Sequence, residues 1–195
     1  MGRLSVGSYR LFVRTRAKAF SLASSGAFAS FGARSVIEPP VRLVGEARIS
    51  IGSDVFVGAG SWLQTLEGPD RPGVLEIGDG TSIAGTCVLS AARSVRLGRK
   101  VLLARNVYIS DHIHAYDDPG RAVLDQGLDR LESVEIEDGA WLGQNVVICP
   151  GVTIGRGAVI GANSVVLEDI PDHALAVGTP AVVVKRFAGP REAVQ

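Results

Sequence analysis

Two histidines lie one residue apart in the segment Asn106–Gly120, which reads NVYISDHIHAYDDPG and also holds three aspartates. The whole chain has only three histidines. An imidazole side chain has an ordinary pKa near neutral pH, so its neutral form can accept a proton from a hydroxyl group that attacks an electrophile. A hydrogen bond to the second ring nitrogen would fix the tautomer, and Asp111, Asp117, Asp118 and the backbone carbonyls all remain open for that role. The segment is therefore a candidate general-base site.

The bulk composition excludes several classes of protein. The 195 residues fit one domain with its own core, and twenty basic residues balance twenty acidic ones, so no attraction to nucleic acid is expected. Cys87 and Cys149 lie in hydrophobic stretches, which predicts buried thiols in a reducing compartment. Arg14, Arg16 and Lys18 interrupt the apolar N-terminal residues, so neither an export signal nor a membrane span is expected. We therefore predict a cytoplasmic protein.

From about Ile49 the sequence repeats with a period of six residues. Blocks such as IGSDVF VGAGSW and IEDGAW LGQNVV ICPGVT IGRGAV open with an aliphatic residue and carry a small or β-branched residue in the fifth place. A unit this short cannot bury its own face, so copies must stack above and below one another. An antiparallel meander would instead show two-residue alternation. The repeat predicts an all-β solenoid with three short sides to each coil.

The phase of the repeat predicts which side chains point inward and where loops leave the coil. The fifth-place residues expected inside are Val55, Ser61, Thr81, Cys87, Val101, Val107, Ala140, Val146, Val152, Ala158 and Ser164. Paired aliphatic residues mark the coil starts at Ile49 and Ile51, Leu75 and Ile77, Val95 and Leu97, Val134 and Ile136, and Val152 and Ile154. Their uneven spacing requires extra residues between Leu63 and Val74, around Arg93, and between Ala115 and Ser133. Such excursions often carry function.

These blocks resemble the hexapeptide repeat of the left-handed parallel β-helix acyltransferases. The segments NVYISDHIH, IEDGAWLGQNVVICPGVTIGRGAVIGANSVV and DIPDHALAVGTPAVVVKR are most similar to the maltose, galactoside and polysaccharide O-acetyltransferase branch. The resemblance implies a left-handed parallel β-helix, acetyl-CoA as co-substrate, and a homotrimer with active sites at the clefts between subunits. It divides the chain into an N-terminal helical cap (1–34), a β-helix domain (35–184) with an acceptor loop at 115–133, and a C-terminal tail (185–195).

Within this resemblance, His114 matches the family's catalytic histidine and His112 matches no catalytic position. Both imidazoles are expected to face outward at the edge of the loop, and His173 is expected to be structural. The implied reaction is direct attack of a sugar or glycan hydroxyl on the thioester in a ternary complex, with backbone N–H groups stabilising the oxyanion. The residues predicted to bind the acceptor are Cys87, Asn106, Asp111, His112 and Asp117.

The resemblance also predicts a surface for the donor. The expected contacts are Trp141, Gly143, Gly161, Ala162, Ser164, Thr179 and Pro180, with Lys185 and Arg186 facing the phosphates. Leu167 and Glu168 replace a Thr-Lys pair that is common in the branch, and Val182 replaces an arginine. In the preceding coil, the region Gly85–Cys87 stands where sugar acetyltransferases have an asparagine. We therefore expect an acceptor other than a simple disaccharide or glucose.

Three other functions compete with this hypothesis. A serine or antibiotic acetyltransferase would share the fold and the donor, and a non-catalytic scaffold would share only the fold. A zinc hydrase of the gamma carbonic anhydrase type has two histidines five residues apart, whereas here they are two apart and His173 is far downstream. No metal is therefore expected.

The segment YRLFVRTRAKAF is either a basic amphipathic helix that rests on an anionic membrane surface or a cap on the open end of the core.

Overall fold

The structure is a computed structural model that describes residues 2–68 and 70–188, with side chains from residue 5 onward. It begins with helix α1 (Gly2–Ser24), which a short 3-10 turn (Ser25–Ala27) follows. Only the last turns of α1 pack against the rest of the chain, where Ala17 is buried and Ser21 Oγ accepts the N–H of Ile37 at 2.8 Å. In the described part of the chain, no helix combines the length and the apolar character needed to cross a bilayer.

The remainder of the chain is built from short strands. The first twelve are β1 (Ser30–Phe31), β2 (Val36–Ile37), β3 (Arg42–Val44), β4 (Ile49–Ile51), β5 (Phe56–Val57), β6 (Trp62–Thr65), β7 (Val74–Ile77), β8 (Ser82–Ile83), β9 (Val88–Ala91), β10 (Ser94–Leu97), β11 (Leu102–Leu103) and β12 (Tyr108–Ser110). The others are β13 (Ile113–His114), β14 (Leu128–Asp129), β15 (Val134–Ile136), β16 (Trp141–Leu142), β17 (Val147–Ile148), β18 (Thr153–Ile154), β19 (Val159–Ile160), β20 (Val165–Val166), β21 (Ala174–Gly178) and β22 (Ala181–Arg186). Two further 3-10 turns lie at Glu46–Arg48 and Val123–Asp125.

The strands form three long sheets, and the chain visits them in turn. The first sheet contains β1, β4, β7, β10, β15 and β18, the second contains β2, β5, β8, β11, β16, β19, β21 and β22, and the third contains β3, β6, β9, β12, β17 and β20. All pairs within them are parallel except β21 with β22. The predicted three-sided coil is therefore present as three parallel sheets, and the predicted N-terminal helix is α1.

The period of six predicts the interior correctly. All eleven fifth-place residues that were expected inside are buried, none of them more than 2% exposed. The predicted coil starts fall in or beside the strands of the first sheet and lie in register, with Val95 opposite Leu75 and Val134. Aliphatic side chains thus stack on aliphatic side chains from coil to coil, and this stacking buries the continuous core that no single six-residue unit can form.

Asparagines occupy the corner between the second and third sheets in three successive coils. Asn106, Asn145 and Asn163 have φ values of 61°, 59° and 62°, in the left-handed region that asparagine tolerates better than most residues. Their side chains form a ladder, in which the Asn106 amide donates to Asn145 at 3.0 Å and the Asn145 amide donates to Asn163 at 2.9 Å. This ladder fixes the spacing of successive coils at that edge.

The predicted excursions from the coil are present. Residues 66–68 and 70–73 leave between β6 and β7, Ala92 and Arg93 lie between β9 and β10, and residues 111–133 leave between β12 and β15. Within the longest excursion, β13 pairs with β14 in an antiparallel hairpin that places His114 opposite Leu128. The domain boundaries differ from the predicted ones at both ends, because β1 pairs with β4 inside the segment predicted as a cap and β22 extends into the segment predicted as a tail.

Candidate active site

A cavity of about 470 Å³ lies on the outward face of the third sheet, beside the point where the chain leaves the coil after β12. The sheet contributes outward-facing residues of successive strands, and the excursion 111–133 covers them from one side. The residues that line this cavity include Trp62, Gln64, Tyr108, Ser110, His112 and His114. Two imidazoles, two hydroxyl groups, an amide and an aromatic surface therefore meet in one cavity, which suits a hydroxylated ligand.

The Asp111 carboxylate is fully buried and holds the start of the excursion against the coil. It accepts the backbone N–H groups of Ala92, Arg93 and Ser94 at 2.8, 2.7 and 2.6 Å. The His112 Nδ1 lies 2.8 Å from Asp111 Oδ1. Burial raises the pKa of Asp111, but the hydrogen bonds from His112 and from the three amides outweigh it, so the pKa lies below its usual value.

The structure corrects two predictions at this pair. Both imidazoles were expected to face outward, but His112 is only 8% exposed. Asp111 was expected to bind the acceptor, but its side chain is fully buried and already bound to backbone groups. The reason is that the hairpin of the excursion folds back over the sheet, which the phase of a six-residue repeat does not specify.

His114 is the exposed member of the pair, at the rim of the cavity. Within residues 2–68 and 70–188, no side chain or backbone group hydrogen-bonds its ring, so Asp111 orients His112 and not His114. Asp117 and Asp118 are both exposed in the loop, and the Asp118 carboxylate accepts the N–H of Gly120 at 2.9 Å. The imidazole of His114 is therefore accessible to a ligand from solvent.

The other two residues predicted to bind the acceptor lie away from the cavity. Cys87 is completely buried, and its thiol donates to the carbonyls of Ala84 and Ala104 at 3.0 and 3.1 Å. Burial raises its pKa, which keeps the thiol protonated. Asn106 belongs to the asparagine ladder described above and accepts a hydrogen bond from Thr86. The prediction of acceptor contact is wrong for Cys87, whose side chain belongs to the core. For Asn106, which is exposed at the corner of the coil and does not line the cavity, acceptor contact stays a prediction.

Sequence reasoning associated Trp62 with an active-site cleft, but it missed the neighbouring outward residues of the third sheet that line the cavity with it. Trp62, Val88 and Tyr108 stack in register on neighbouring strands, all in the sixth place of a block. Beside them, the Gln64 amide donates to Ser90 Oγ at 2.6 Å. The sequence did offer one signal, which is that these residues share the sixth place of their blocks. That signal indicates a binding surface only once the histidines are known to lie on the third sheet.

The predicted donor residues mostly lie along the second sheet and at the corner that follows it. Trp141 is 48% exposed and stands in register with Leu102 and Val159. Gly143 allows close packing of coils, because a Cβ there would lie 2.7 Å from the Ala162 nitrogen. A Cβ on Gly161 would lie 2.6 Å from a methyl group of Val177.

Ser164 is the exception among the predicted donor residues. It is fully buried, and its Oγ accepts the N–H of Gly178 at 3.0 Å, so its side chain cannot contact a ligand as expected. Ala162, Thr179, Pro180, Lys185 and Arg186 are all exposed. The last two supply cations at one end of this surface, and the Lys185 ammonium lies 5.2 Å from the centre of the Phe187 ring.

The predicted donor residues and the two histidines of the cavity do not lie together within one chain. The cavity with His112 and His114 lies on the outward face of the third sheet, whereas Trp141 lies on the second sheet, a different face of the three-sided coil. None of the predicted donor residues lines the cavity. Across the described ranges, no group of three or more histidine, cysteine, aspartate or glutamate side chains is placed to hold a metal ion.

Comparison with protein families finds one match along the chain. Residues 133–168 match the model described as bacterial transferase hexapeptide (six repeats). The chain is also 32% identical over 158 residues to the putative lipopolysaccharide biosynthesis O-acetyl transferase WbbJ of Escherichia coli K12. That alignment covers 78% of this chain and 79% of the relative. The similarity thus includes the excursion and not only the repeat.

Solved structures share the same architecture. A hexapeptide-repeat acetyltransferase of Vibrio cholerae, VCA0836, in complex with acetyl-CoA is 28% identical, with a TM-score of 0.57 over 88% of this chain and 79% of that one. The N-acyltransferase AntD of Bacillus cereus, solved with dTDP and coenzyme A, has a TM-score of 0.73 at 21% identity over 86% and 89% of the two chains. The likeness to AntD concerns the fold alone.

Proposed function

Because the chain belongs to the hexapeptide-repeat acetyltransferase family, we propose that it transfers the acetyl group of acetyl-CoA to a hydroxyl group of a sugar or glycan precursor. The O-acetyl transferase named for lipopolysaccharide biosynthesis supports the type of reaction, and the V. cholerae complex supports the donor. The observation that carries the proposal is the cavity of about 470 Å³ in which two imidazoles meet hydroxyl, amide and aromatic groups.

His114 is the proposed general base. It is exposed at the rim of the cavity, so the hydroxyl group of an acceptor can come within hydrogen-bond distance of its ring. The hydroxyl then attacks the thioester carbonyl directly, its proton passes to His114, and the CoA thiolate leaves. No described group of this chain fixes the His114 tautomer, so bound substrate or a neighbouring subunit supplies that hydrogen bond.

His112 is the competing candidate, and one observation favours it. With Nδ1 donating to Asp111, its Nε2 is left as an acceptor, which is the arrangement of a base oriented by a carboxylate. Its low exposure and the three amides bound to Asp111 favour a structural role instead, in which the pair fastens the excursion to the coil. Replacing each histidine separately distinguishes the two roles.

We infer a homotrimer in which the donor surface of one subunit faces the histidines of the next. Two observations support it: none of the predicted donor residues lines the cavity that holds the histidines, and the outward faces of the second and third sheets both carry apolar side chains. Phe56, Leu102 and Trp141 are exposed on the second sheet, and Tyr108 on the third. The first sheet instead pairs Arg96 with Glu76 at 2.8 Å, as a solvated face would.

The hand of the coil, the position of CoA and the cellular location are inferred from family membership. We infer that the coil is left-handed, as in the family, and that CoA lies along the second sheet with its phosphates near Lys185 and Arg186. A cytoplasmic location would give access to acetyl-CoA, and the two cysteines, which are free thiols in the structure, fit a reducing compartment.

The reaction is tested with labelled acetyl-CoA and a panel of sugars and glycan precursors. We expect release of CoA that depends on the acceptor, and a product whose acetyl group is removed by mild alkali, as for an ester. Label in an alkali-stable amide would show that the acceptor is an amine. Absence of transfer to every acceptor, together with absence of acetyl-CoA binding, would favour the non-catalytic scaffold.

A further inference from the structure

Helix α1 concentrates positive charge in a chain that has no net charge. Five of the twenty basic residues lie in Gly2–Ser24, and none of the twenty acidic residues does, so the rest of the chain has fifteen basic and twenty acidic residues. In the described structure, Arg10, Arg14, Arg16 and Lys18 form no salt bridge with one another or with the coil. The helix is therefore a cationic element attached to an anionic body.

The same helix exposes large apolar side chains. Tyr9, Leu11, Phe12 and Leu22 are between 61% and 80% exposed. At about 100° per residue, Leu11 and Leu22 lie within about 20° of each other around the axis, and Phe12 lies about 100° further round. These side chains define an outward apolar stripe on α1.

Basic side chains flank this stripe on both sides. By the same helical count, Arg14 and Lys18 lie within about 60° of Leu11 on one side, and Arg16 lies about 40° beyond Phe12 on the other. An apolar stripe between two rows of long cationic side chains is the arrangement by which amphipathic helices lie in a bilayer interface, because the cations reach the headgroup phosphates while the apolar groups enter the acyl region.

The way α1 is attached leaves the stripe free. The opposite face of the helix packs on the coil only near its end, where Ala17 and Ser21 are buried and Phe20 packs against the core. The stripe points away from this contact. From residue 5 to residue 16 every side chain is exposed except Val13, which is half-buried.

We propose that α1 docks on an anionic phospholipid surface. Leu11, Phe12 and Leu22 would enter the acyl region, and Arg14, Arg16 and Lys18, which flank the stripe, would contact the phosphates. The charge of α1 is complementary to that surface, whereas a second copy of this helix would place cations against cations. In the trimer proposed above, rotational symmetry places three copies of α1 at the same end of the molecule, which strengthens a weak individual contact.

The test is sedimentation of the full-length protein with vesicles of phosphatidylcholine, with and without phosphatidylglycerol. We expect binding only to the anionic vesicles, lowered by added salt. Arg14→Gln/Arg16→Gln/Lys18→Gln should lower the fraction bound by about 10- to 100-fold. Leu11→Ser/Phe12→Ser should lower it by a similar factor. Vesicle binding needs neither substrate, so its failure would leave the proposed acetyl transfer unaffected.

Matched control variants distinguish docking by α1 from attraction between the vesicles and exposed cations or apolar side chains elsewhere on the protein. Arg71→Gln/Lys100→Gln/Arg105→Gln removes three exposed cations elsewhere, and Leu124→Ser removes a side chain that is 84% exposed in the loop. Both controls should bind as the wild type does. Equal binding to neutral vesicles, no binding, or equal losses in the controls would overturn the proposal. So would a change of oligomeric state in Leu11→Ser/Phe12→Ser, which would show that another copy covers the stripe.

Discussion

At the scale of single residues, Asp111 decides the shape of the site. A buried carboxylate is costly unless its oxygens are satisfied, and here three backbone amides and one imidazole satisfy them. The same contacts bind the first residues of the excursion to the turn between β9 and β10. The positions of both histidines thus depend on a side chain that cannot itself touch a substrate.

Replacing this carboxylate should be costly for stability. We expect Asp111→Asn to lower the free energy of unfolding by roughly 2–4 kcal/mol, because the amide NH₂ opposes the backbone donors and the charge-assisted hydrogen bonds are lost. Urea unfolding at neutral pH measures this. Asp118→Asn, an exposed aspartate in the same loop, is the control and should change stability by less than about 0.5 kcal/mol.

The loss should also depend on pH. Because the folded-state pKa of Asp111 lies below its usual value, its ionised form stabilises the fold above the unfolded pKa of about 3.9, and this stabilisation is lost as pH falls through the folded pKa. The difference between wild type and Asp111→Asn should therefore shrink as the pH falls below about 4. A difference that stays constant to about pH 2 would show that the charge of Asp111 does not stabilise the fold.

The sequence could not have distinguished His112 from His114 by environment. Both follow Ile109 in the phase of the repeat, and that phase predicts outward positions for each. The burial of His112 results from the hairpin of β13 and β14, a long-range pairing within an irregular loop for which no periodic signal exists. In contrast, the inward positions were predictable, because six-residue spacing directly encodes which side chains point into the coil.

At the scale of elements, the asparagine ladder sets the corner between the second and third sheets. Asn145 is its centre, with a φ of 59° and hydrogen bonds to Asn106 and Asn163. We expect Asn145→Val to lower the free energy of unfolding by roughly 2–3 kcal/mol, because a β-branched residue is strained in the left-handed region and the ladder is interrupted. Asn145→Gly keeps the backbone freedom and should cost about half as much. Equal losses for the two variants, measured in urea, would show that the backbone conformation is unimportant there.

The second sheet is the element proposed to hold the donor. Trp141 is half-exposed there, and its indole offers a flat apolar surface for the pantetheine arm or the adenine. We expect Trp141→Ala to weaken acetyl-CoA binding by about 10- to 100-fold in calorimetry, with CoA alone as the reference ligand. Leu124→Ala, which removes an exposed apolar side chain in the loop and not on the second sheet, is the matched control and should leave the affinity unchanged. Unchanged affinity in Trp141→Ala would place the donor elsewhere.

Across the molecule as a whole, Trp141 and His114 do not line one cavity within a single chain, and the trimer proposed above would bring them together between subunits. We expect Trp141→Ala and His114→Ala to complement each other when the two variants are co-expressed, because some mixed trimers then contain a site with both wild-type side chains. Transfer activity in the mixture, well above that of either variant alone, measures this. Activity no higher than that of the separate variants would mean that both side chains act in one chain, which the structure does not bring together.

The decisive comparison is between wild type, His114→Ala and His112→Ala in one transfer assay. Acetyl-CoA binding is checked in each protein by calorimetry. If His114 is the general base, His114→Ala binds acetyl-CoA normally but transfers acetyl groups about 100- to 10,000-fold more slowly, and His112→Ala loses less activity. A transfer rate in His114→Ala equal to that of the wild type, or a large loss confined to His112→Ala, would show that His114 is not the base.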